Sequence, residues 1–345
     1  MSTIRVAQIP APGEPIELVE RPTPEPGRGQ VRIAIEACGV CHTDALFASG
    51  HFPGVSFPLV AGHEIAGRID AIGEGAPVGD HAPAWRVGDR VAVGWFGGSC
   101  RYCDSCRAGD FISCDSLQVP AVAYPGGFAD AVVVPFDALA RIPDGLSAAQ
   151  AAPLGCAGVT TFKGLRESGA RAGDVVAIVG LGGLGHLAVQ YAARMGFETV
   201  AIARGAEKAQ LARDLGAHHT IDSTEQDVSA ELQALGGARA VIATAASSEA
   251  MVSALDGLAK NGQLTVIGAT PEPMPISPFQ LIGASRRVVG HPSGTSFDVE
   301  QTMRFTALAG IEPMIETVPL EQAQSAFERM LSGEARFRMV LVTGR

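Results

Sequence analysis

Residues 174–204 read DVVAIVGLGGLGHLAVQYAARMGFETVAIAR, and this stretch decides the fold. Val175–Val179 is a predicted strand, and the turn Gly180-Leu181-Gly182-Gly183-Leu184-Gly185 follows it directly and opens a helix, HLAVQYAARMG. A second strand, Thr199–Arg204, comes next. The alternation continues through EKAQLARDLGA, HHTID, ELQALGG and AVIATA to a predicted helix MVSALDGLA and the strand QLTVIG. Strands alternating with helices of about ten residues imply βαβ units and a doubly wound parallel sheet of the Rossmann type. In such a unit the glycines permit the tight turn and let a pyrophosphate approach the backbone at the helix N-terminus. A glycine pattern alone is a weak signal; strand, turn and helix together make it a dinucleotide site.

Upstream the texture changes. Residues 1–30 mix short apolar stretches with Pro and Gly (IPAPGEP, RPTPEPGRGQ), which reads as strands joined by turns. Val31–Ala37 is a strand candidate running into a short helix that begins within Cys38–Asp44. Ile65–Ile72, Arg90–Val93 and Ala129–Val134 are further strands, and Ala148–Arg166 is helical in composition. The expected organisation is α/β. A mostly-β domain covers 1–153 and is rejoined by 290–345, whose last strand MVLVTG returns to it; a dinucleotide-binding domain covers 154–289. The 345 residues suffice for two such cores.

A net charge of −10 without a basic cluster argues against a nucleic-acid partner. No apolar run has the length of a transmembrane helix, and MSTIRVAQIPAPGEP lacks the basic start and apolar core of a secretory signal. The expectation is a cytoplasmic protein with no membrane partner.

The seven cysteines are an odd number set in C-x-x-C spacings, a pattern that points to metal more than to disulfides. Cys100, Cys103, Cys106 and Cys114 stand within GGSCRYCDSCRAGDFISC. Four thiolates saturate a tetrahedral Zn²⁺ and leave no open position, so this is a candidate structural zinc site. Cys41, His63 and Cys156 are a second, scattered set. Read singly, Cys41 could pair with Cys38 as a redox motif and Cys156 could be core.

Their order along the chain carries more. Cys41-His42-Thr43-Asp44, Gly62-His63-Glu64, the four-cysteine lobe, Gly155-Cys156-Ala157-Gly158 and the glycine turn at 180–185 resemble, in that order, the motifs of the zinc-dependent medium-chain alcohol dehydrogenases. The resemblance runs through nearly the whole chain. It implies a GroES-like catalytic domain with a structural zinc lobe, a catalytic zinc on Cys41, His63 and Cys156, and an alcohol or aldehyde exchanging hydride with a nicotinamide. It further implies that Thr43 starts the proton relay, that Glu64 stands behind the metal, and that Asp44 orients the zinc histidine. For Glu64 the plain alternative is a solvated surface acid, and for Asp44 a helix cap. His42, Thr160, Gly268 and Arg338 correspond to cofactor-contacting positions, Arg338 to one on the phosphates. Where many members carry a relay histidine this chain has Leu46. Cys38 is expected to be a buried thiol and not a ligand.

The end of the second strand bears on NAD against NADP. An acid there accepts from the ribose hydroxyls in NAD enzymes. Here the position is Ala203, followed by Arg204, with Lys208 nearby; a guanidinium can bind a 2′-phosphate bidentately. NADP is therefore favoured over NAD. Phe52 and Trp95 correspond to pocket aromatics and point to primary alcohols or aldehydes, aromatic or allylic ones included; both could instead be core. Gly79–Trp85 (GDHAPAW) and HPSGTS at 291–296 are unusual for the family. Two other readings stay open: a conjugated double-bond reductase on the same scaffold, and a non-catalytic nucleotide- or zinc-binding protein. The resemblance also implies a homo-oligomer, dimer or tetramer.

Overall fold

The computed structural model describes residues 2–75, 85–205 and 207–344. The chain divides into two compact units: Met1–Cys156 with Gly294–Leu308 and Glu312–Arg345, and Ala157–Ser293 with Ala309–Ile311. Of the unusual stretch at 79–85, all but Trp85 lies outside the described residues; the Trp85 ring carries the Arg141 guanidinium 4.2 Å from its centroid. No described helix is long and apolar enough to cross a membrane.

The first unit begins with the antiparallel pair β1 (Thr3–Gln8) and β2 (Glu17–Pro22). It continues with β3 (Gln30–Gly39), β4 (Glu64–Ile72), β5 (Arg90–Val93), β6 (Ala131–Pro135) and β7 (Ala140–Arg141). β3 is the hub. Its Val31, Ile33 and Ile35 are fully buried, and residues between them are half-exposed, the period-2 signature of a strand with one face in the core. It pairs antiparallel with both β4 and β6. Because Gly39 stands opposite Glu64 in that register, the end of β3 and the start of β4 bring residues 38–41 beside His63 and Glu64. Gly39 is required there: a Cβ on it would lie 1.9 Å from the Glu64 carboxylate.

The second unit carries β8 (Val175–Val179), β9 (Glu198–Ala203), β10 (His219–Asp222), β11 (Ala238–Ala243), β12 (Leu258–Val266) and β13 (Arg287–Gly290). They form one sheet in the order β10-β9-β8-β11-β12-β13, every pairing parallel. This is the 3-2-1-4-5-6 order of the doubly wound dinucleotide fold, with its reversal between β8 and β11. β8 is buried along its whole length, as a central parallel strand covered by helices must be. The chain then returns to the first unit with β14 (Ile315–Pro319) and β15 (Arg338–Val342), and β15 pairs antiparallel with β3.

Two helical expectations need correction. Ala148–Arg166 is not one helix: it is a helical turn at Ala148–Ala151, a 3₁₀ turn at Ala152–Gly155 and a helix at Ala157–Arg166. Pro153 cannot donate a helical hydrogen bond, and Cys156 sits at the break with φ −128° and ψ −75°. MVSALDGLA is helical only in its first two residues, the end of the helix Ser248–Val252. The turn that follows contains Gly257, and β12 already begins at Leu258.

Candidate functional site

Cys41 caps a short helix, His42–Ala48, whose third residue is Asp44. The Asp44 carboxylate accepts the Cys41 backbone N–H at 2.8 Å, which closes the cap. It also accepts the Gly62 N–H at 3.1 Å and contacts His63 Nδ1 at 3.1 Å. Asp44 is fully buried, so the helix cap and the histidine support are one carboxylate serving both ends. With Nδ1 held as the donor, the lone pair of His63 is on Nε2. That atom is buried and has no hydrogen-bond partner among the described residues.

Around it the chain gathers Cys41, Glu64 and Cys156, whose ligand atoms and that of His63 all lie within 4.8 Å of one another. The helix break described above delivers Cys156. The other three, Cys41, His63 and Glu64, stand where β3 runs into the helix His42–Ala48 and where β4 begins. Hydrogen bonding with Cys156 pulls the Cys41 thiol well down despite its burial, and the same bond with burial pushes Cys156 well up. A metal binds both sulfurs as thiolates and would displace their protons. Burial opposes a charge on His63, but the Asp44 carboxylate and the Cys41 sulfur outweigh it and raise its pKa. Two thiol sulfurs and an unpartnered imidazole nitrogen are the donor set that Zn²⁺ takes at a site with an open position.

Glu64 is fully buried, which removes the reading of it as a solvated acid. Burial pushes its carboxyl up to about 7, against the pull of Arg338. Arg338 is 4% exposed and donates to Glu64 in a buried ion pair. Sequence reading assigned Arg338 to cofactor phosphates and missed this pairing. Cys38 is buried and outside the ligand cluster, and burial raises its thiol pKa well above normal, as for a neutral core thiol.

The side of the cluster is aromatic. The Trp95 ring stands edge-on to His63 with centroids 5.5 Å apart, and Phe52 is edge-on to Trp95 at 6.2 Å. Phe47, not singled out in the sequence, is fully buried beneath them, 4.8 Å from Phe52 and 5.9 Å from His63. Its place on the same helical face as Asp44 (i, i+3) was the available signal. Phe52 and Trp95 are half-buried and pack against the core. The Thr43 hydroxyl lies 3.7 Å from the Cys41 sulfur. His42 and Leu46 are exposed, and His51 is exposed with its Nδ1 2.9 Å from the Ser49 hydroxyl.

In the cysteine lobe the sulfurs of Cys100 and Cys114 are 3.5 Å apart, and those of Cys100 and Cys106 and of Cys103 and Cys114 are 4.0 Å apart. Zn–S bonds of about 2.3 Å set at tetrahedral angles require sulfurs about 3.8 Å apart, whereas a disulfide requires about 2 Å. Backbone N–H groups of Cys100 and Ser116 point at the Cys114 sulfur and that of Cys103 at the Cys100 sulfur, at 3.3–3.4 Å, as suits thiolates.

In the second unit, Leu184 caps the helix Gly185–Arg194. Gly185 packs so tightly that an added Cβ would lie 1.9 Å from the Gly180 carbonyl oxygen. A cleft of about 920 Å³ opens over this turn, lined among others by Gly180, Gly182, Ala203, Arg204, Lys208 and Ser223. Arg204 is exposed, Lys208 half-buried, and neither has a carboxylate partner among the described residues. Gly183, Leu184 and Gly268 do not line the cleft; at Gly268 a Cβ would lie 2.4 Å from the Ala245 carbonyl oxygen. Thr160 is buried, 8% exposed, in the helix Ala157–Arg166.

Residues 27–144 match the family model of the alcohol dehydrogenase GroES-like domain, and residues 183–307 that of zinc-binding dehydrogenases. The chain is 42% identical over 329 residues to alcohol dehydrogenase notN of Aspergillus sp. (strain MF297-2), covering 95% of each. It is 38% identical over 330 residues to an alcohol dehydrogenase of Geobacillus stearothermophilus, covering 95% of this chain and 96% of the relative. Among solved structures, a cinnamyl alcohol dehydrogenase from Sorghum bicolor superposes with a TM-score of 0.89 at 29% identity, over 99% of this chain and 98% of that one.

Proposed function

The chain belongs to the zinc-dependent medium-chain alcohol dehydrogenases, an oxidoreductase family, and from that premise we propose that it is a two-zinc, NADP-preferring enzyme interconverting primary alcohols and aldehydes, aromatic or allylic ones included. The observation that carries the reading is the convergence of buried Cys41 and buried His63, whose Nε2 has no partner among the described residues, with half-buried Cys156. These three would hold the catalytic zinc, and Cys100, Cys103, Cys106 and Cys114 the structural one. When bound, the zinc supplies Lewis acidity that acidifies a hydroxyl or polarises a carbonyl, and the nicotinamide takes or gives the hydride.

This chain's own residues do the rest. Asp44 fixes the ring and tautomer of His63. Thr43, adjacent to Cys41, has a hydroxyl that can accept the substrate proton and pass it on. Leu46, in the relay position, has no group that could take the proton onward, so a bound cofactor's ribose with water, or the exposed His42 or His51, would have to supply the exit. The half-buried rings of Phe52 and Trp95, beside His63, offer an apolar wall to a planar substrate. Arg204, with Lys208 beside it in the cleft and no acid at Ala203, supports a 2′-phosphate on the ribose.

Product analysis tests the reading. Incubation with cinnamaldehyde and NADPH is expected to yield cinnamyl alcohol. The saturated aldehyde as product would favour the double-bond reductase instead, and no product across a panel of aldehydes would remove the carbonyl reductase.

A further inference from the structure

β10 runs parallel beside β9 with Asp222 opposite Ala203, so the position that lacks an acid on β9 has one next to it on β10. Asp222 does not line the cleft, whereas its neighbour Ser223 does. Its carboxylate is directed elsewhere. Oδ1 accepts the Gly205 backbone N–H at 3.0 Å, the Thr224 N–H at 3.0 Å and the Thr224 hydroxyl at 2.7 Å. These bonds, the Thr224 hydroxyl first, hold the carboxyl below the usual range, so it is ionised at neutral pH. The Ser223 N–H completes the join by donating to the Ala203 carbonyl at 3.0 Å.

Arg204 is the residue between these two anchors, with the Ala203 carbonyl on one side and the Gly205 N–H on the other. Its side chain is exposed and has no carboxylate to hold it among the described residues. Only its backbone can be pre-set, and a long cation whose backbone is fixed loses less freedom on meeting an anion.

We infer that Asp222 is a positioning residue for cofactor selectivity: by pinning Gly205 it fixes the backbone from which Arg204 meets the 2′-phosphate of NADP(H). This rests on the NADP reading of Arg204. Asp222 takes no part in contacting the cofactor. An ionised acid beside a phosphate would repel it across a short path. Here three donors hold the charge on Oδ1, and Asp222 is not part of the cleft lining.

The experiment compares dissociation constants of NADPH, NADH, 2′-AMP and 5′-AMP, by calorimetry on the zinc-loaded protein, for wild type and for Arg204→Ala, Asp222→Ala and Asp222→Asn. Arg204→Ala is expected to weaken NADPH and 2′-AMP by about tenfold and leave NADH and 5′-AMP alone. Asp222→Ala is expected to weaken the same two ligands about threefold to fivefold. Asp222→Asn, whose amide oxygen can still accept from Gly205 and Thr224, is expected to restore wild-type selectivity. If Arg204→Ala does not change the NADPH-to-NADH ratio, the NADP reading itself fails. If Arg204→Ala acts and Asp222→Ala leaves the ratio unchanged, or weakens all four ligands alike, the positioning role is overturned. A melting temperature for each variant separates that last outcome from partial unfolding.

Discussion

Replacing Asp44 with asparagine tests the link between the helix cap and the metal cluster. The carboxylate serves three donors from full burial: Cys41 N–H on Oδ2, and Gly62 N–H and His63 Nδ1 on Oδ1. An amide can present oxygen on one side only. With its oxygen toward Gly62 and His63, its NH₂ faces the Cys41 N–H, so one charge-assisted bond of three is lost; the opposite orientation loses two. Loss of one such bond costs about 1.5–3 kcal/mol. In a domain of 150–250 residues that lowers Tm by about 3–12 °C. Disturbing a carboxylate behind a metal-bound histidine also weakens metal affinity by about tenfold to a hundredfold. The assay is zinc release to a chromophoric chelator, followed over time in Asp44→Asn and wild type. Two phases are expected, one per zinc, with only the catalytic phase accelerated in the variant, because the cysteine lobe has no contact with Asp44. Unchanged release together with an unchanged Tm would refute the reasoning, since both effects derive from the same three bonds.

Four further outcomes follow from the geometry. Cys103→Ser should lower zinc content, measured by atomic emission, from about two to about one per chain and lower Tm, with the remaining zinc on the catalytic cluster. Gly185→Ala drives a Cβ to 1.9 Å from the Gly180 carbonyl oxygen, so the turn must open; NADPH and NADH affinity should both fall by more than tenfold in fluorescence titrations. Because zinc binds Cys41 and Cys156 as thiolates and displaces the proton that burial and hydrogen bonding hold on Cys156, zinc affinity should fall as pH falls, and a competition titration at pH 8 and pH 6 checks the sign. Hydrogen bonding from Arg329 holds the Glu316 carboxyl below its ordinary value of 4.5, so this pair stabilises the fold above that pH and the contribution is lost as pH falls through the depressed value. Arg329→Met should therefore lower stability at pH 7 and have no effect well below the depressed value, by urea unfolding at each pH.

Much of this protein is legible along the chain because its chemistry is local there. A strand, a glycine turn and a helix in succession give the Rossmann unit, and four cysteines within fifteen residues, three of them at three-residue intervals, give the lobe. The metal cluster is legible only as a combination, since Cys41, His63 and Cys156 become neighbours through the pairing of β3 with β4 and a helix break at Pro153. Composition favours a continuous helix over Ala148–Arg166, and Pro153 interrupts it just before Cys156. The Glu64–Arg338 pair was beyond reach: it joins residues 274 apart through β15 adding to β3, a pairing no local pattern specifies. Asp222 is hidden for the same reason, because its meaning depends on which residue of β9 it faces.

The central claim is that Cys41, His63 and Cys156 hold the zinc on which the reaction depends. The most direct test follows absorbance at the reduced-nicotinamide band with cinnamaldehyde and NADPH, in the zinc-loaded wild type and in Cys156→Ala. The account predicts steady NADPH oxidation in the wild type and a loss of at least a hundredfold in the variant, with the lobe zinc retained and the fold intact. Wild-type turnover in Cys156→Ala would contradict it.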